Sequence, residues 1–120
     1  MTIIVHHLEE SRSQRILWLL EELGVAYEVK RYARNQQTRL APPELKAIHP
    51  LGKSPVIEAN GKVLAESAAI IEYLAENEAF GALAVPPGDA ARFEYLYWLH
   101  FAEGSAMLPL LLKLYVSLLG

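Results

Sequence analysis

The chain has 120 residues, a formal net charge of −3 and no cysteine. That length suits one compact domain and is small for two, and the charge gives no electrostatic case for a nucleic-acid partner: Arg12, Arg15, Lys30, Arg31, Arg34 and Arg39 form no basic tract. Without cysteine there is no disulfide framework, no thiolate metal site and no redox chemistry on the protein's own sulfur.

His6, His7, His49 and His100 make no ligand pattern, so they read as structural or surface histidines and no metal is expected. The first seven residues lack the basic lead and cleavage site of a signal peptide. Glu94, His100, Glu103 and Lys113 interrupt the apolar C-terminal stretch, so no membrane span is expected.

Ile3-Ile4-Val5 is a β-branched run suited to a strand covered on both faces. From Arg12 the period changes. Ile16, Leu19, Leu20 and Leu23 recur at helical spacing, Glu21 and Glu22 fall outside, and Gly24 closes the segment. Val25 to Arg31 returns as a second strand, which makes a β-α-β unit with a right-handed crossover. A polar loop follows over Asn35 to Ala41, and Pro42 opens a short helix through Leu45 and Ile48. Val56 to Glu58, Asn60-Gly61 and Val63-Leu64 read as a hairpin. A helix over Glu66 to Asn77 has Ala69, Ile70, Tyr73 and Leu74 on its apolar face. The predicted fold is α/β, in the order β-α-β-α-β-β-α, with a four-stranded mixed sheet over residues 1–78.

Residues 79–88, with Pro86 and Pro87, read as a linker, and Asp89 can cap a last helix from Ala90. Residues 89–120 are apolar on most sides, and Pro109 is the place where that helix would kink or end. So much apolar surface needs partners that a small sheet unit cannot supply. The chain therefore reads as the beginning of a longer protein, or as a small one that hides this surface by oligomerising.

Three places can carry chemistry. Pro55, at the mouth of the hairpin, is either a blunt strand start or a cis peptide that turns the main-chain groups of Ser54 and Val56 toward an extended ligand. Ser11, between first strand and first helix, is either an N-cap or a hydroxyl that donates to a bound anion, with the N–H groups of Arg12 and Ser13 sharing that work. No G-x-S-x-G elbow supports a serine nucleophile, and no histidine can be assigned to Ser11. Glu66-Ser67 is either a capped, solvent-facing helix start or the complement of an amino acid, with the carboxylate for its ammonium and Ser67 for its carboxylate.

Ser11 with Arg15, Gly52-Lys53-Ser54-Pro55-Val56, Asn60-Gly61 and Glu66-Ser67-Ala68-Ala69-Ile70 with Tyr73-Leu74 follow one another in an order that resembles the N-terminal, thioredoxin-like half of a glutathione S-transferase. Arg15 to Leu23 is similar to the first helix of that family's bacterial and fungal branches. The resemblance covers residues 1–78 closely, and residues 89–120 resemble the first helix of the family's all-helical second domain, cut short.

The resemblance implies a cis Pro55, main-chain pairing of Val56 with the cysteinyl part of glutathione, Glu66 and Ser67 as grips on the γ-glutamyl end, and Lys53 for the glycine carboxylate. It puts Ser11 at the thiol-activating position, with Ser13 and Arg12 as alternatives, while Gln36 and Gln37 are loop contacts at most and His49 stands where asparagine is commoner. It implies a cytoplasmic homodimer, joined through sheet and helical domains, with a detoxification role. Glutathione is the co-substrate, conjugated to small, mostly apolar electrophiles. A glutathione-dependent peroxidase or reductase, or a non-catalytic binding or regulatory protein of the same fold, are the alternatives. Lowering a thiol's pKa by about two units takes roughly 2.7 kcal/mol, within reach of one hydrogen bond to an anion plus a helix N-terminus.

Overall fold

The computed structural model describes residues 2–78 and 83–120. Its first strand, β1 (Ile3–Leu8), continues three residues past the β-branched run and so includes both His6 and His7. Helix α1 (Ser13–Leu23) ends in a Schellman cap: Gly24, at φ +65°, donates to the Glu21 carbonyl, and Val25 donates to that of Leu20. Val25 thus belongs to the helix cap, and the second strand starts two residues later than expected, as β2 (Tyr27–Tyr32). After α2 (Glu44–Ile48), strands β3 (Val56–Ala59) and β4 (Lys62–Ala65) form the hairpin, and α3 (Ser67–Glu78) closes the unit.

The sheet order is β2-β1-β3-β4. β1 lies parallel to β2 and antiparallel to β3, and β3 is antiparallel to β4, which makes the sheet mixed. Asn60 and Gly61 turn the hairpin at positive φ, 52° and 70°, the backbone that a two-residue connection between twisted strands requires. Both edge strands carry charge, Glu28, Lys30 and Arg31 on β2 and Lys62 on β4, which blunts edge-to-edge pairing.

Side chains alternate along a strand, so Ile3 and Val5 share one face of β1. They pack with Ile57 and Ala59 of β3 against Ile16 and Leu20 of α1 and Ile70 and Leu74 of α3. Each large member of this cluster is almost fully withdrawn from water, which stabilises the fold by about 1.5–3 kcal/mol per side chain. Along α3 the buried apolar residues are Ile70, Leu74 and Ala75. Ala69, expected on that face, is exposed, and Tyr73 is half-buried with its hydroxyl accepting from Asn60 Nδ2. On β1, His6 is fully buried, between the Tyr32 hydroxyl at 2.8 Å and Glu58 Oε2 at 3.0 Å.

Residues 79–82 of the expected linker lie outside the described residues. Beyond them, Asp89 Oδ1 accepts from the Ala91 N–H, and α4 runs over Arg92–Phe101. The helix departs from α-geometry at a π-helical turn, Ala102–Ala106, and resumes as α5 (Met107–Leu118). The irregularity therefore falls before Pro109, not at it. Proline has no N–H for the carbonyl four residues back, at Ser105, and its ring crowds that carbonyl; the wider turn on the N-terminal side relieves both.

None of the residues in α4, the π turn or α5 is buried. By length and composition Arg92–Leu118, 27 residues with a mean hydropathy of 1.3 in its most apolar window, is long and apolar enough to cross a membrane, contrary to expectation. Its polar contacts are those of a helix packed on protein. Arg92 donates to Glu76 and to the Val85 carbonyl, and Glu103 meets two arginines of the β1–α1 region.

Candidate functional site

Three chain reversals meet at the end of the sheet where β1 runs into α1. The α2–β3 loop brings Lys53 and Ser54, the start of α3 brings Glu66 and Ser67, and the β1–α1 loop brings Arg12. They line one cleft of about 240 Å³, together with Pro55, Val56, Ala65, His49, Leu51 and Glu103. The cleft thus gathers Lys53, Ser54, Pro55, Val56, Glu66, Ser67 and Arg12. Gln36 and Gln37 are exposed and lie outside the lining.

The Ser54–Pro55 peptide is cis. Ser54 Oγ donates to the His6 carbonyl at 2.8 Å and accepts from the Leu8 N–H at 3.3 Å, which pins the side chain to β1. Neither main-chain polar group of Ser54 is hydrogen-bonded among the described residues. Val56 is in register with His6 on one side and Ala65 on the other, and is 1% exposed, so its main chain belongs to the sheet. The main chain open to an extended ligand is that of Ser54, two residues outside the ladder.

Across the cleft, Glu66 is exposed and stands at φ +72°, immediately before α3. Its carbonyl accepts from the Ile70 N–H, which makes Glu66 the residue at the N-terminus of α3. Ser67 is 6% exposed, lines the cleft and makes no side-chain hydrogen bond among the described residues. It is the first residue of the helix and not a cap. Lys53 is exposed on the same cleft. An anionic and a cationic group thus flank a buried hydroxyl and a helix N-terminus.

Ser11 and Ser13 are not part of that lining; Ser11 lies next to it, in contact with Ser54. Its Oγ accepts from the Ser13 N–H at 3.2 Å, is 3.5 Å from Ser54 Oγ, and is 2.6 Å from Ser13 Oγ. Of the two serines only Ser11 is partly accessible. Ser13 is fully buried beneath it, 2.7 Å from His7 Nδ1 and 3.3 Å from the Leu8 carbonyl. Arg34 fixes the loop ahead of Ser11 by donating to the carbonyls of Glu9 and Glu10.

Arg12 and Arg15 converge on Glu103 from the π turn. Arg12 Nε is 3.3 Å from Glu103 Oε2, within ion-pair distance, yet its N–H is not aligned for a hydrogen bond and is buried without a partner. Burial, and secondarily the charge of Arg12, lowers the Arg15 pKa from its ordinary value. Glu103, His49 and His7 had no pattern that marked them. Of the three, only His7 carried a signal: strand alternation places it on the same face as Ile3 and Val5, toward α1.

The sheet is thioredoxin-like, and its cis-proline loop, the β1–α1 loop and the start of the third helix share one polar cleft. The family model for the glutathione S-transferase N-terminal domain matches residues 1–76, and the chain belongs to that family. It is 46% identical to glutathione S-transferase 3 of Schizosaccharomyces pombe over 107 residues, 88% of this chain and 43% of the relative. A glutathione S-transferase from Actinobacillus pleuropneumoniae superposes with a TM-score of 0.81 at 43% identity, covering 98% of this chain and 54% of that one. The theta class enzyme of the citrus canker pathogen Xanthomonas axonopodis pv. citri, solved with glutathione bound, gives 0.70 at 30% identity, over 86% of this chain and 49% of that one. The chain spans about half the length of these relatives.

Proposed function

We propose that the cleft is the glutathione site of a cytoplasmic, homodimeric glutathione transferase, which conjugates the bound thiolate to small, mostly apolar electrophiles. The observation that carries this reading is the free main chain of Ser54 at the mouth of a cleft with charged groups on its walls. An extended peptide can pair with that N–H and C=O as an added strand. In this reading Glu66 takes the γ-glutamyl ammonium, while Ser67 and the α3 N-terminus take its carboxylate. Lys53 takes the glycine carboxylate. The cysteinyl sulfur then lies toward Ser11, whose hydroxyl, with the field of the α1 N-terminus behind it, stabilises the thiolate. The apolar flank of α4 and α5, with Phe93, Trp98 and Leu110 exposed, is the surface a second subunit would cover.

Isothermal titration of glutathione followed by a turnover assay with a small aryl or alkyl halide tests the reading. Glu66→Gln and Ser67→Ala should each raise the glutathione Kd several-fold while thermal stability holds. Unchanged isotherms in both variants would return the pair to an ordinary helix start. Binding without turnover would leave a glutathione-binding protein and refute the transferase.

A further inference from the structure

Behind Ser11 runs a line of hydrogen-bonding groups that a lone thiol-stabilising hydroxyl does not need. Ser11 Oγ and Ser13 Oγ are 2.6 Å apart, and Ser13 Oγ and His7 Nδ1 are 2.7 Å apart. The second link is deeply placed, with Ser13 fully buried, whereas the His7 ring is only half-buried. Among the described residues the only other partner of the Ser13 hydroxyl is the Leu8 carbonyl, at a longer 3.3 Å. The line therefore leads from Ser11, which touches the cleft-lining Ser54, through the protein to an imidazole.

We infer that Ser13 and His7 form a proton relay that completes the thiol-activating group, with Ser11 as its end beside the cleft-lining Ser54; the inference rests on the glutathione reading above. A neutral His7 with its proton on Nε2 offers Nδ1 as acceptor. When glutathione binds, its S–H bond breaks and the proton passes to Ser11 Oγ. In the same movement the Ser11 proton passes to Ser13 Oγ, and the Ser13 proton to His7 Nδ1. Sulfur keeps the electron pair, and each serine ends with one proton, as it began. His7 carries the extra proton until water removes it.

The transfer also reverses every hydrogen bond in the line. Afterwards His7 donates to Ser13, Ser13 donates to Ser11, and Ser11 donates to the thiolate. Donors that face one way polarise one another, so the last hydroxyl becomes a stronger donor than an isolated serine. The Ser13 N–H already donates to Ser11 Oγ and pushes in the same direction. Ser13 and His7 touch no substrate; they are positioning and proton-accepting residues acting through Ser11.

The test measures the ultraviolet titration of the bound thiol and steady-state turnover in the full-length protein. Ser13→Ala and His7→Phe should each raise the thiol's titration midpoint by about one unit and lower kcat about tenfold near neutral pH, with glutathione KM within twofold. The double variant should be no worse than either single, since both interrupt one line. Ser13→Thr, which keeps a hydroxyl, should restore both readouts. His7→Asn keeps a polar group against Ser13 but cannot hold an added proton, and it should be as defective as His7→Phe. A wild-type midpoint in Ser13→Ala, or in His7→Asn, overturns the relay. Should Ser13→Ala fail to fold, as a buried position allows, the two His7 variants decide alone. If Ser11→Ala itself titrates like wild type, the thiol-stabilising role of Ser11 fails and the relay with it. Changes confined to Ser11→Ala refute the relay and leave the glutathione reading intact.

Discussion

Glu103→Gln tests how the helical segment is held to the site. The substitution keeps the shape of the side chain and removes the charge that faces Arg12 and Arg15. Glu103 is 25% exposed and its partners about a third, so the pair lies between two regimes. Exposed ion pairs contribute about 0–1 kcal/mol, whereas removing one partner of a buried pair costs about 3–5. Here two arginines would be left facing each other, one of them already disfavoured as a cation by burial. A loss of about 2 kcal/mol follows, or roughly 8 °C in Tm for a chain of this size. Calorimetric melting of wild type, Glu103→Gln and the Glu103→Gln/Arg15→Met double variant is the assay. The double variant should melt no lower than Glu103→Gln, because removing Arg15 removes the repulsion, and added salt should narrow the gap to wild type. Strictly additive losses, or a single variant that melts like wild type, would refute the coupling.

Ser11→Ala should raise the bound thiol's titration midpoint by about one to two units, a loss of roughly 1.4–2.7 kcal/mol of thiolate stabilisation, and its turnover should partly recover at higher pH. Tyr95→Phe addresses alkaline stability: burial, then the charges of Glu72 and Glu76, raise the Tyr95 pKa, with Arg92 opposing. An acid held neutral by the fold contributes stability that is present below the unfolded pKa, near 10, and lost as pH rises through the folded value. The wild type should therefore lose stability above about pH 10 more steeply than Tyr95→Phe, as read from urea midpoints. At neutral pH the variant also sheds a buried hydroxyl that has no partner among the described residues, and it should gain up to about 1 kcal/mol. Leu20→Ala empties a fully buried position between sheet and helix and should cost about 3 kcal/mol in the same measurement.

The parts of the fold that were legible are those in which a local rule and the packing agree. The β-branched run of β1, the Gly24 cap and the Asn60-Gly61 turn each carry their reason within a few residues. Pro109 marked a disturbance correctly but not its place, because a missing donor disturbs the turn that precedes it. Glu103 could not be read at all: it lies 88 residues from Arg15, and no spacing encodes an ion pair across that separation. His7 was half legible. Alternation gives its face, but meeting Ser13 depends on where the crossover between β1 and β2 sets α1 down. Val56 shows the converse, a residue next to the cis-proline loop whose main chain the ladder had already claimed.

Glu66 occupies a left-handed backbone, at φ +72°, where a side chain other than glycine costs about 1–2 kcal/mol. Conformation alone favours glycine at this position, and the carboxylate it holds faces the cleft. Optimising this chain for thermal tolerance would therefore draw Glu66→Gly early, and the same exchange would erase one wall of the cleft. Screening variants by melting temperature alone would reward that loss. Backbone ease and a charged cleft wall pull opposite ways at this residue, and any stabilised variant should be scored for melting and for glutathione binding.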